Sequence, residues 1–369
     1  MKKVRVGIIG MGFGKEFIPI YQAFSKSEVV AVSQRDEASL SRIADQFNIK
    51  HRYTDWREML KNDEVDAVHV VSPILDHYEM TMASLNAGKH CACTVPMATT
   101  IEELNDIIRA QKKSGKYYMM METTLYSREY LYVKNLVESG KVGRIQFVRG
   151  SHLQDMGLEG WPDYWLGFPP MWYGTHAVSP LFDITKKVPE YVVCHGSGSI
   201  SEERAAKYGS PFAVETATFK LRDSNIAVEA TRALYETVRQ YRESFDIYGD
   251  KMSFEWDQIE GEGQVLFEGG ESARRFTVPD TDAMLPEELK PFTRREQIQD
   301  ANHVSFIQGA GHGGSHPHMV KEFIEAIVED RQPSECAVTS AYLTGAGICA
   351  HESAMKGGEK IMIPDFDTV

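Results

Sequence analysis

The sequence lacks the features that mark membrane and secreted proteins. It has no apolar run long enough to cross a bilayer, and no apolar leader with a small-residue cleavage site follows Met1. It is also poor in basic residues, with 40 Lys and Arg against 53 Asp and Glu and a formal charge of −13. No basic patch offsets this charge, so we expect a cytoplasmic protein with neither nucleic acid nor membrane as a partner.

Cysteine is scarce as well, and its pattern argues against a disulfide framework. The five cysteines are an odd number, and Cys91 and Cys93 alternate along a predicted strand instead of bracketing a metal site. We therefore expect reduced, buried thiols.

The first third of the chain alternates between strand and helix patterns. Short apolar, β-branched runs are each followed by a segment of helical period, as in the helix predicted over Ile101–Ser114. This order is typical of a parallel sheet wound on both faces, which binds ligands at the carboxyl ends of its strands. The predicted strands are Val4–Ile9, Val29–Ser33, Val65–Val71, Lys89–Cys93 and Tyr117–Met121.

A glycine cluster follows the first predicted strand. Gly10 permits a tight turn, and Gly12 lets a phosphate approach the backbone. The third position of the usual dinucleotide motif is Lys15, with Gly14 displaced by one residue. The second strand ends in Gln34 and Arg35, where an acid usually binds the adenosine ribose. Because an amide can also bind ribose and Arg35 could hold a 2′-phosphate, we expect NAD, with NADP possible.

The pattern changes after residue 124. One helix over Arg128–Ser139 is followed by apolar-alternating runs that predict strands, and two helices close the chain. We therefore predict an α/β protein of two domains. Residues 1–124 form a Rossmann domain with a doubly wound parallel sheet, and residues 125–369 form an α+β domain with a large, mostly antiparallel open sheet.

Several segments together resemble the Gfo/Idh/MocA family of nucleotide-dependent oxidoreductases. They are Gly10–Gly14, Ser72-Pro73 with His77, Ala87-Gly88-Lys89-His90 running into Thr94-Val95-Pro96, and Gly174-Thr175-His176. The resemblance implies a Rossmann domain and a second domain whose sheet forms a homo-oligomer, a dimer or tetramer. It also implies hydride transfer between NAD or NADP and a hydroxyl of a sugar, glycoside or polyol. The implied cofactor-binding residues are Gly10, Met11, Gly12, Phe13, Gly14, Gln34, Arg35, Ser72, Pro73, His77, Thr94, Val95, Pro96 and Glu122.

The chain departs from this family at one chemically important position. In the dehydrogenases a Glu-Lys-Pro tripeptide follows the fourth strand, and its lysine exchanges the proton of the substrate hydroxyl. This chain has Thr94-Val95-Pro96, and valine can neither donate nor accept a proton. A branch resembling N-acetylgalactosaminidases, which oxidises its sugar and then regenerates NAD, also has valine before the proline. A redox-neutral glycosidase is therefore the first alternative to a dehydrogenase, and a nucleotide-binding sensor without activity is the second alternative.

Without the lysine, another side chain must accept the proton. His176 is the first candidate, because an imidazole accepts protons at neutral pH and follows Gly174-Thr175; a buried histidine capping the next helix is the alternative. Tyr173 could relay the proton or simply pack. Trp161, Trp165 and Trp172 could form an apolar wall for a sugar ring or belong to the core.

A second histidine-rich segment spans His312–His318. It lacks cysteine and a well-spaced acid, so we expect no metal there and favour a glycine loop that leads into a helix. His316 is a possible second acid or base, and His312 a possible substrate contact. Glu122 could contact the nicotinamide ribose or the substrate, or stabilise a turn, and Tyr126 is a weaker candidate of the same kind.

Overall fold

The computed structural model describes residues 3–239, 241–259, 261–269, 272–294 and 311–369. The chain divides into two compact units. The first unit comprises Met1–Tyr126, Thr281–Ala341 and Phe366–Val369, and the second comprises Ser127–Asp280 and Tyr342–Asp365. The first unit crosses to the second after Tyr126, within two residues of the predicted boundary at residue 124. The prediction placed the whole of residues 125–369 in the second domain, whereas Thr281–Ala341 and Phe366–Val369 group with the first unit.

The predicted helices and strands occur in the predicted order, and the structure adds elements that periodicity did not predict, among them His51–Tyr53 and Trp56–Leu60. In the described ranges the helices are α1 Met11–Gly14, α2 Ile18–Ala23, α3 Glu37–Gln46, α4 Trp56–Leu60, α5 His77–Asn86, α6 Ile101–Ser114, α7 Arg128–Glu138, α8 Thr175–Thr185, α9 Glu202–Tyr208, α10 Gly311–Gly314, α11 His316–Val328 and α12 Ala337–Met355. The strands are β1 Val4–Ile9, β2 Ser27–Ser33, β3 His51–Tyr53, β4 Ala67–Val70, β5 His90–Thr94, β6 Tyr118–Met121, β7 Ile145–Leu153, β8 Pro189–Ser197, β9 Val214–Leu221, β10 Ala227–Ala233, β11 Arg242–Gly249, β12 Met252–Glu255, β13 Gln264–Glu268, β14 Ser272–Phe276 and β15 Ile361–Met362.

The sheet of the first unit confirms the predicted Rossmann domain. Its described strands lie in the order β3-β2-β1-β4-β5-β6, and all pairs are parallel. The order reverses beside β1, so the carboxyl ends of β1 and β4 flank the crevice where such sheets bind ligands. Helix α11 explains why the unit includes a late segment. Its apolar residues Met319, Val320, Phe323 and Ile324 belong to the same core as β1 and β2.

The second unit contains the predicted open sheet. Its described strands lie in the order β14-β13-β12-β11-β7-β10-β9-β8-β15. Neighbours are antiparallel except for β7 and β10, which run parallel. The mixed α/β class and its mostly antiparallel second sheet are confirmed. Across the described ranges, no helix combines the length and apolar character needed to cross a membrane.

Candidate functional site

The glycine turn Gly10–Gly14 lies between β1 and the first helices of the first unit. Gly10 has φ 89°, and a Cβ there would lie 2.1 Å from the carbonyl oxygen of Val71, so only glycine fits. A Cβ on Gly14 would lie 3.1 Å from a methyl carbon of Ile8. Gly14 therefore lets the helix and the strand pack closely, which is what the third glycine of the dinucleotide motif does.

Gly12 differs from Gly10 and Gly14 because its Cα faces open space. A Cβ at this position would meet no atom of the described chain within 4 Å. The protein itself therefore does not require glycine here, whereas a phosphate brought against the backbone would. This open position, at the carboxyl end of β1, fits the pyrophosphate of a dinucleotide.

We expect Gly12→Ala to leave the free energy of unfolding within about 0.5 kcal/mol of wild type while weakening NAD binding by about tenfold or more. Urea denaturation and calorimetric titration measure the two effects. Gly10→Ala is the matched control, since its Cβ overlaps Val71 and must destabilise the fold itself. Unchanged NAD affinity in the Gly12 variant would show that no phosphate lies against this residue.

Gln34 and Arg35, at the end of β2, have different surroundings. The Gln34 side-chain oxygen accepts a hydrogen bond from the backbone N–H of Met11 at 3.1 Å, so the amide ties the end of β2 to the glycine turn. Its NH₂ group remains the part that could reach a ribose hydroxyl. Arg35 is exposed beside it. The two residues are thus close to the turn, as predicted, but Gln34 also has a structural role.

His77 connects the loops that follow β4 and β5. Its Nδ1 lies 2.7 Å from the carbonyl oxygen of Pro96, and its Nε2 lies 3.0 Å from that of Ser72 and 3.4 Å from the Thr94 hydroxyl. Burial lowers the pKa of His77, although the two carbonyl contacts oppose this. The segments Ser72-Pro73 and Thr94-Val95-Pro96 are therefore fixed together. Within them the Val95 side chain is buried and offers no polar atom.

Two further candidates of the first unit take part in polar contacts of the protein itself. Glu122 is fully buried, and one oxygen accepts hydrogen bonds from the Thr124 N–H at 3.1 Å and the Thr124 hydroxyl at 2.8 Å. The hydroxyl of Tyr126 donates to a carboxylate oxygen of Glu335 at 2.5 Å. The turn-stabilising alternative for Glu122 thus has direct structural support.

The histidines of the glycine loop lie in a different environment from the one expected. His316 is fully buried, with its ring 5.5 Å from that of Phe13 and 4.4 Å from that of Phe17. Burial lowers the pKa of His316 well below its usual value, which keeps the ring neutral. Its Nδ1 lies 3.9 Å from a Glu16 oxygen. We therefore leave His316 out of the proposed catalytic set. His312 is half-buried, and its ring lies 6.1 Å from that of His316.

The second unit brings together a histidine–glutamate cluster of His152, His176 and Glu243. Strands β7 and β11 are antiparallel, and their register places Glu243 directly opposite His152. His176 is the second residue of α8, which packs on β7. A Cβ on Gly150 would lie 2.3 Å from the carbonyl oxygen of Ala177, so this glycine lets the start of α8 approach the strand.

The cluster is compact and deeply buried. A single carboxylate oxygen of Glu243 lies 3.8 Å from the Nε2 of His152 and 3.8 Å from the Nε2 of His176. Both imidazole side chains are only 1% exposed, and the carboxylate is 14% exposed. The hydroxyl of Tyr173 lies 3.3 Å from the same Nε2 of His176. His176 does not cap α8, because Gly174 occupies the N-cap position, but the ring is buried, as the alternative also expected.

Neighbouring side chains set the charge of this cluster. The hydroxyl of Tyr241 donates to Glu243 at 2.9 Å. Burial and the Glu243 charge raise the pKa of Tyr241 well above its usual value, so it keeps its proton. Burial also raises the pKa of Glu129 to about 7, and the charges of Asp257 and Glu243 add to this effect. Glu129 is therefore a further group able to exchange a proton near neutral pH.

Arg232 is a fully buried cation that organises the backbone beneath the cluster. Its guanidinium donates to the carbonyl oxygens of Tyr173 at 2.9 Å and His152 at 3.0 Å, and to the side-chain oxygen of Gln154 at 3.2 Å. It also lies 5.1 Å from the centre of the Tyr173 ring. Burial lowers the pKa of Arg232 to about 10, so it stays charged at pH 7. One side chain thus fixes the two segments that carry the histidines.

The three candidate tryptophans separate in the structure. Trp165 is buried, and its ring lies 4.8 Å from that of Tyr173, beside the cluster. Trp172 packs edge-on against Phe168 and His351. Trp161 is half-buried in the loop after β7. Of the three, Trp165 is the one placed to border a ligand at the cluster.

Sequence reasoning identified His176 and Tyr173 but missed the residues that complete their surroundings. These residues are His152, Glu243, Tyr241, Arg232 and Glu129. His152 had a detectable signal, because it alternates with the buried Val148 and Gly150 on one face of β7. Glu243 had none, since its place depends on the pairing of strands 91 residues apart in the chain.

Comparison with known proteins agrees with the fold of the first unit. Residues 4–122 match the model of the oxidoreductase family with an NAD-binding Rossmann fold. Over this segment the chain is similar to the Gfo/Idh/MocA family. The predicted resemblance is thereby confirmed, and the matched segment contains the glycine turn and the Val95 position.

Individual known proteins show where the likeness is strong and where it ends. A glycosyl hydrolase family 109 protein of Shewanella sp. strain ANA-3 is 31% identical over 166 residues, which cover 42% of this chain and only 36% of that protein. An oxidoreductase domain protein from Kribbella flavida shares the fold over 99% of this chain and all of its own, with a TM-score of 0.80 and 20% identity. A levoglucosan dehydrogenase, solved with NADH and levoglucosan, has a TM-score of 0.76 and 19% identity over 98% of this chain and 100% of its own.

Proposed function

We propose that this protein, which is similar to the Gfo/Idh/MocA family over residues 4–122, is an NAD(P)-dependent oxidoreductase that acts by hydride transfer on a hydroxyl of a sugar, glycoside or polyol. The observation that carries the proposal is the buried cluster around His176. It supplies a proton acceptor in a chain whose family lysine position is Val95. The levoglucosan dehydrogenase structure and the glycosyl hydrolase relative support a carbohydrate substrate.

The proposal assigns cofactor binding to the first unit. The open backbone at Gly12 accommodates the pyrophosphate, and the Gln34 amide, together with Arg35, addresses the adenosine ribose. The segments joined by His77 border the nicotinamide half. When bound, the nicotinamide supplies a hydride acceptor or donor.

The second unit handles the proton in this proposal. Oxidation of an alcohol needs a base within hydrogen-bond reach of the hydroxyl oxygen. The Nε2 of His176 accepts that proton, and the Glu243 carboxylate 3.8 Å away stabilises the resulting imidazolium. The Tyr173 hydroxyl, 3.3 Å from Nε2, passes the proton onward or orients the substrate. Trp165 borders the sugar ring.

A redox-neutral glycosidase is the second candidate function. In that reaction oxidation acidifies the C–H beside the new carbonyl, a base removes the proton, and the aglycone leaves before the cofactor is regenerated. The 31% identical glycosyl hydrolase relative favours it. Glu129 or Tyr173 would serve as the second base. A non-catalytic sensor is the remaining alternative, and it leaves the buried cluster without a role.

One assay separates these functions. The protein is incubated with NAD or NADP and a panel of sugars, polyols and aryl glycosides, while reduced nicotinamide and released aglycone are recorded together. Stoichiometric reduction supports the dehydrogenase, and aglycone release without net reduction supports the glycosidase. If the protein binds the cofactor but gives neither reduced nicotinamide nor released aglycone with any substrate, the result supports the non-catalytic sensor.

We expect Arg35→Ala to weaken NADP binding by about tenfold while changing NAD affinity less than twofold, because an exposed guanidinium pairs with a 2′-phosphate. Calorimetric titration with both cofactors checks this. The control is Arg42→Ala on α3, a nearby arginine outside the proposed site. An equal effect on the two cofactors would show that Arg35 does not read the phosphate.

We also propose that the nine-stranded sheet forms the interface of a homo-oligomer, as the family resemblance implies. The support within the chain is a half-buried aromatic pair on neighbouring strands, Phe147 and Tyr248, whose rings stack at 5.6 Å. Sedimentation velocity of wild type and of a Phe147→Glu variant tests this interface.

A further inference from the structure

We propose that the histidine–glutamate cluster of His152, His176 and Glu243 binds one divalent transition-metal ion, with a hydroxyl-bearing ligand in an open coordination position. Each residue offers one ligand atom, and these three atoms all lie within 4.8 Å of one another. Two imidazoles and one carboxylate form a donor set suited to Zn²⁺, Co²⁺ or Mn²⁺. The sequence had led us to expect no metal.

The distances are close to those that a metal requires. Ligand bonds of about 2.0–2.2 Å in a tetrahedral site separate the donor atoms by roughly 3.4 Å. The Glu243 oxygen lies 3.8 Å from each Nε2, so small side-chain movements bring all three atoms to bonding distance. The ligands come from three elements, β7, α8 and β11, so they converge on one point from three directions.

The surroundings also suit a metal centre. Tyr241 donates a hydrogen bond to the same Glu243 oxygen at 2.9 Å, the type of outer contact that orients a ligating carboxylate. The Arg232 guanidinium holds the backbone carbonyl of His152. The Tyr173 hydroxyl, 3.3 Å from the His176 Nε2, is placed to hydrogen-bond a molecule in the open position.

Three protein ligands leave a coordination position for a substrate oxygen, which is the arrangement of catalytic rather than structural sites. This part of the inference rests on the proposed function. A cation bonded to the substrate hydroxyl would lower the pKa of that hydroxyl, and so offset the missing lysine ammonium. Since a bound metal would occupy the Nε2 lone pair, His176 would then be a ligand, and the hydroxyl proton would instead pass to the neighbouring Tyr173 hydroxyl, which would release its own proton to water.

Metal binding is tested on the full chain without any activity measurement. The protein is treated with a chelator, dialysed and titrated with Co²⁺, whose visible absorption reports nitrogen and oxygen ligation, and Zn²⁺ is then added as a competitor. We expect one equivalent of Co²⁺ per chain and its displacement by one equivalent of Zn²⁺. The proposal would be overturned if no visible Co²⁺ band appeared, or if Co²⁺ bound only weakly and at more than one equivalent per chain.

Variants identify the ligands. His152→Ala and Glu243→Gln should each weaken Co²⁺ binding by about 10²-fold or more, since loss of an outer partner alone costs 10- to 100-fold. The matched controls are His195→Ala, an exposed histidine of β8, and Glu229→Gln on β10, which should bind Co²⁺ as wild type does. Unchanged binding in the cluster variants would refute the site, and circular dichroism confirms that each variant is folded.

The outcome also separates this inference from the proposed function. If the protein binds no metal but reduces NAD with a sugar, the metal site is refuted, and His176 remains the proton acceptor. If it binds one metal but neither reduces NAD nor releases aglycone, the metal site stands, and the oxidoreductase proposal is refuted.

Discussion

Replacing His176 with alanine is expected to lower turnover by about 10² or more while leaving cofactor affinity nearly intact. The substitution removes the Nε2 that lies 3.3 Å from the Tyr173 hydroxyl and 3.8 Å from Glu243. The methyl group of alanine can neither accept a proton nor bind a metal ion at this position. The glycine turn, which is the proposed cofactor site, belongs to the first unit, so the substitution leaves its residues unchanged. Steady-state kinetics and calorimetric titration with NAD measure the two effects.

His195→Ala is the control for this experiment, because it removes an exposed histidine of the same unit. It should retain wild-type turnover. Retained turnover in the His176 variant would remove this residue from its proposed role, whether as base or as metal ligand. A loss of NAD affinity equal to the loss of turnover would instead indicate a general structural defect.

Arg232→Met is expected to lower the free energy of unfolding by about 3 kcal/mol. The methionine keeps much of the side-chain length but leaves the carbonyl oxygens of Tyr173 and His152 and the Gln154 amide oxygen without their buried donor. Each unsatisfied group costs about 1–3 kcal/mol, and removing a buried charge offsets part of the sum. Urea denaturation followed by circular dichroism measures the change.

Arg144→Met provides the comparison for a largely exposed arginine of the same unit. Its guanidinium lies 3.7 Å from Asp250 with the side chain 79% exposed, so the expected change is within about 0.5 kcal/mol. An Arg232 variant as stable as the Arg144 variant would show that the buried guanidinium does not support the cluster. Turnover should also fall in the Arg232 variant, since both histidine-bearing segments lose their common anchor.

The sequence predicted local features of the fold well. Periodicity identified five of the six described strands of the parallel sheet and missed β3. It also predicted the observed bounds of helix α6, whose first turn is held by a capping box of Thr100 and Glu103. The assignment of α11 to the second domain failed for a physical reason. An amphipathic helix pattern shows which face is apolar but not which sheet will cover that face, and here it packs into the core of the first unit.

The candidate site shows the same limit. His176 could be found because a glycine and a threonine precede it and because the family resemblance directs attention there. Its partners could not be found from local patterns, since Glu243 reaches it only through the pairing of β7 with β11. His316 illustrates the reverse case. Its histidine-rich neighbourhood indicated chemistry, but tertiary packing placed the ring against Phe13 and Phe17.

If the proposed function is correct, a sugar C–H bond delivers hydride to the nicotinamide, whichever product finally leaves. A single-turnover experiment tests it directly: the protein with bound NAD is mixed with a substrate deuterated at its ring carbons, quenched with base within one turnover, and the cofactor is analysed by mass spectrometry. We expect reduced nicotinamide carrying one deuterium, in both the dehydrogenase and the redox-neutral reaction. Product formation with unlabelled or fully oxidised cofactor at every quench time would contradict it.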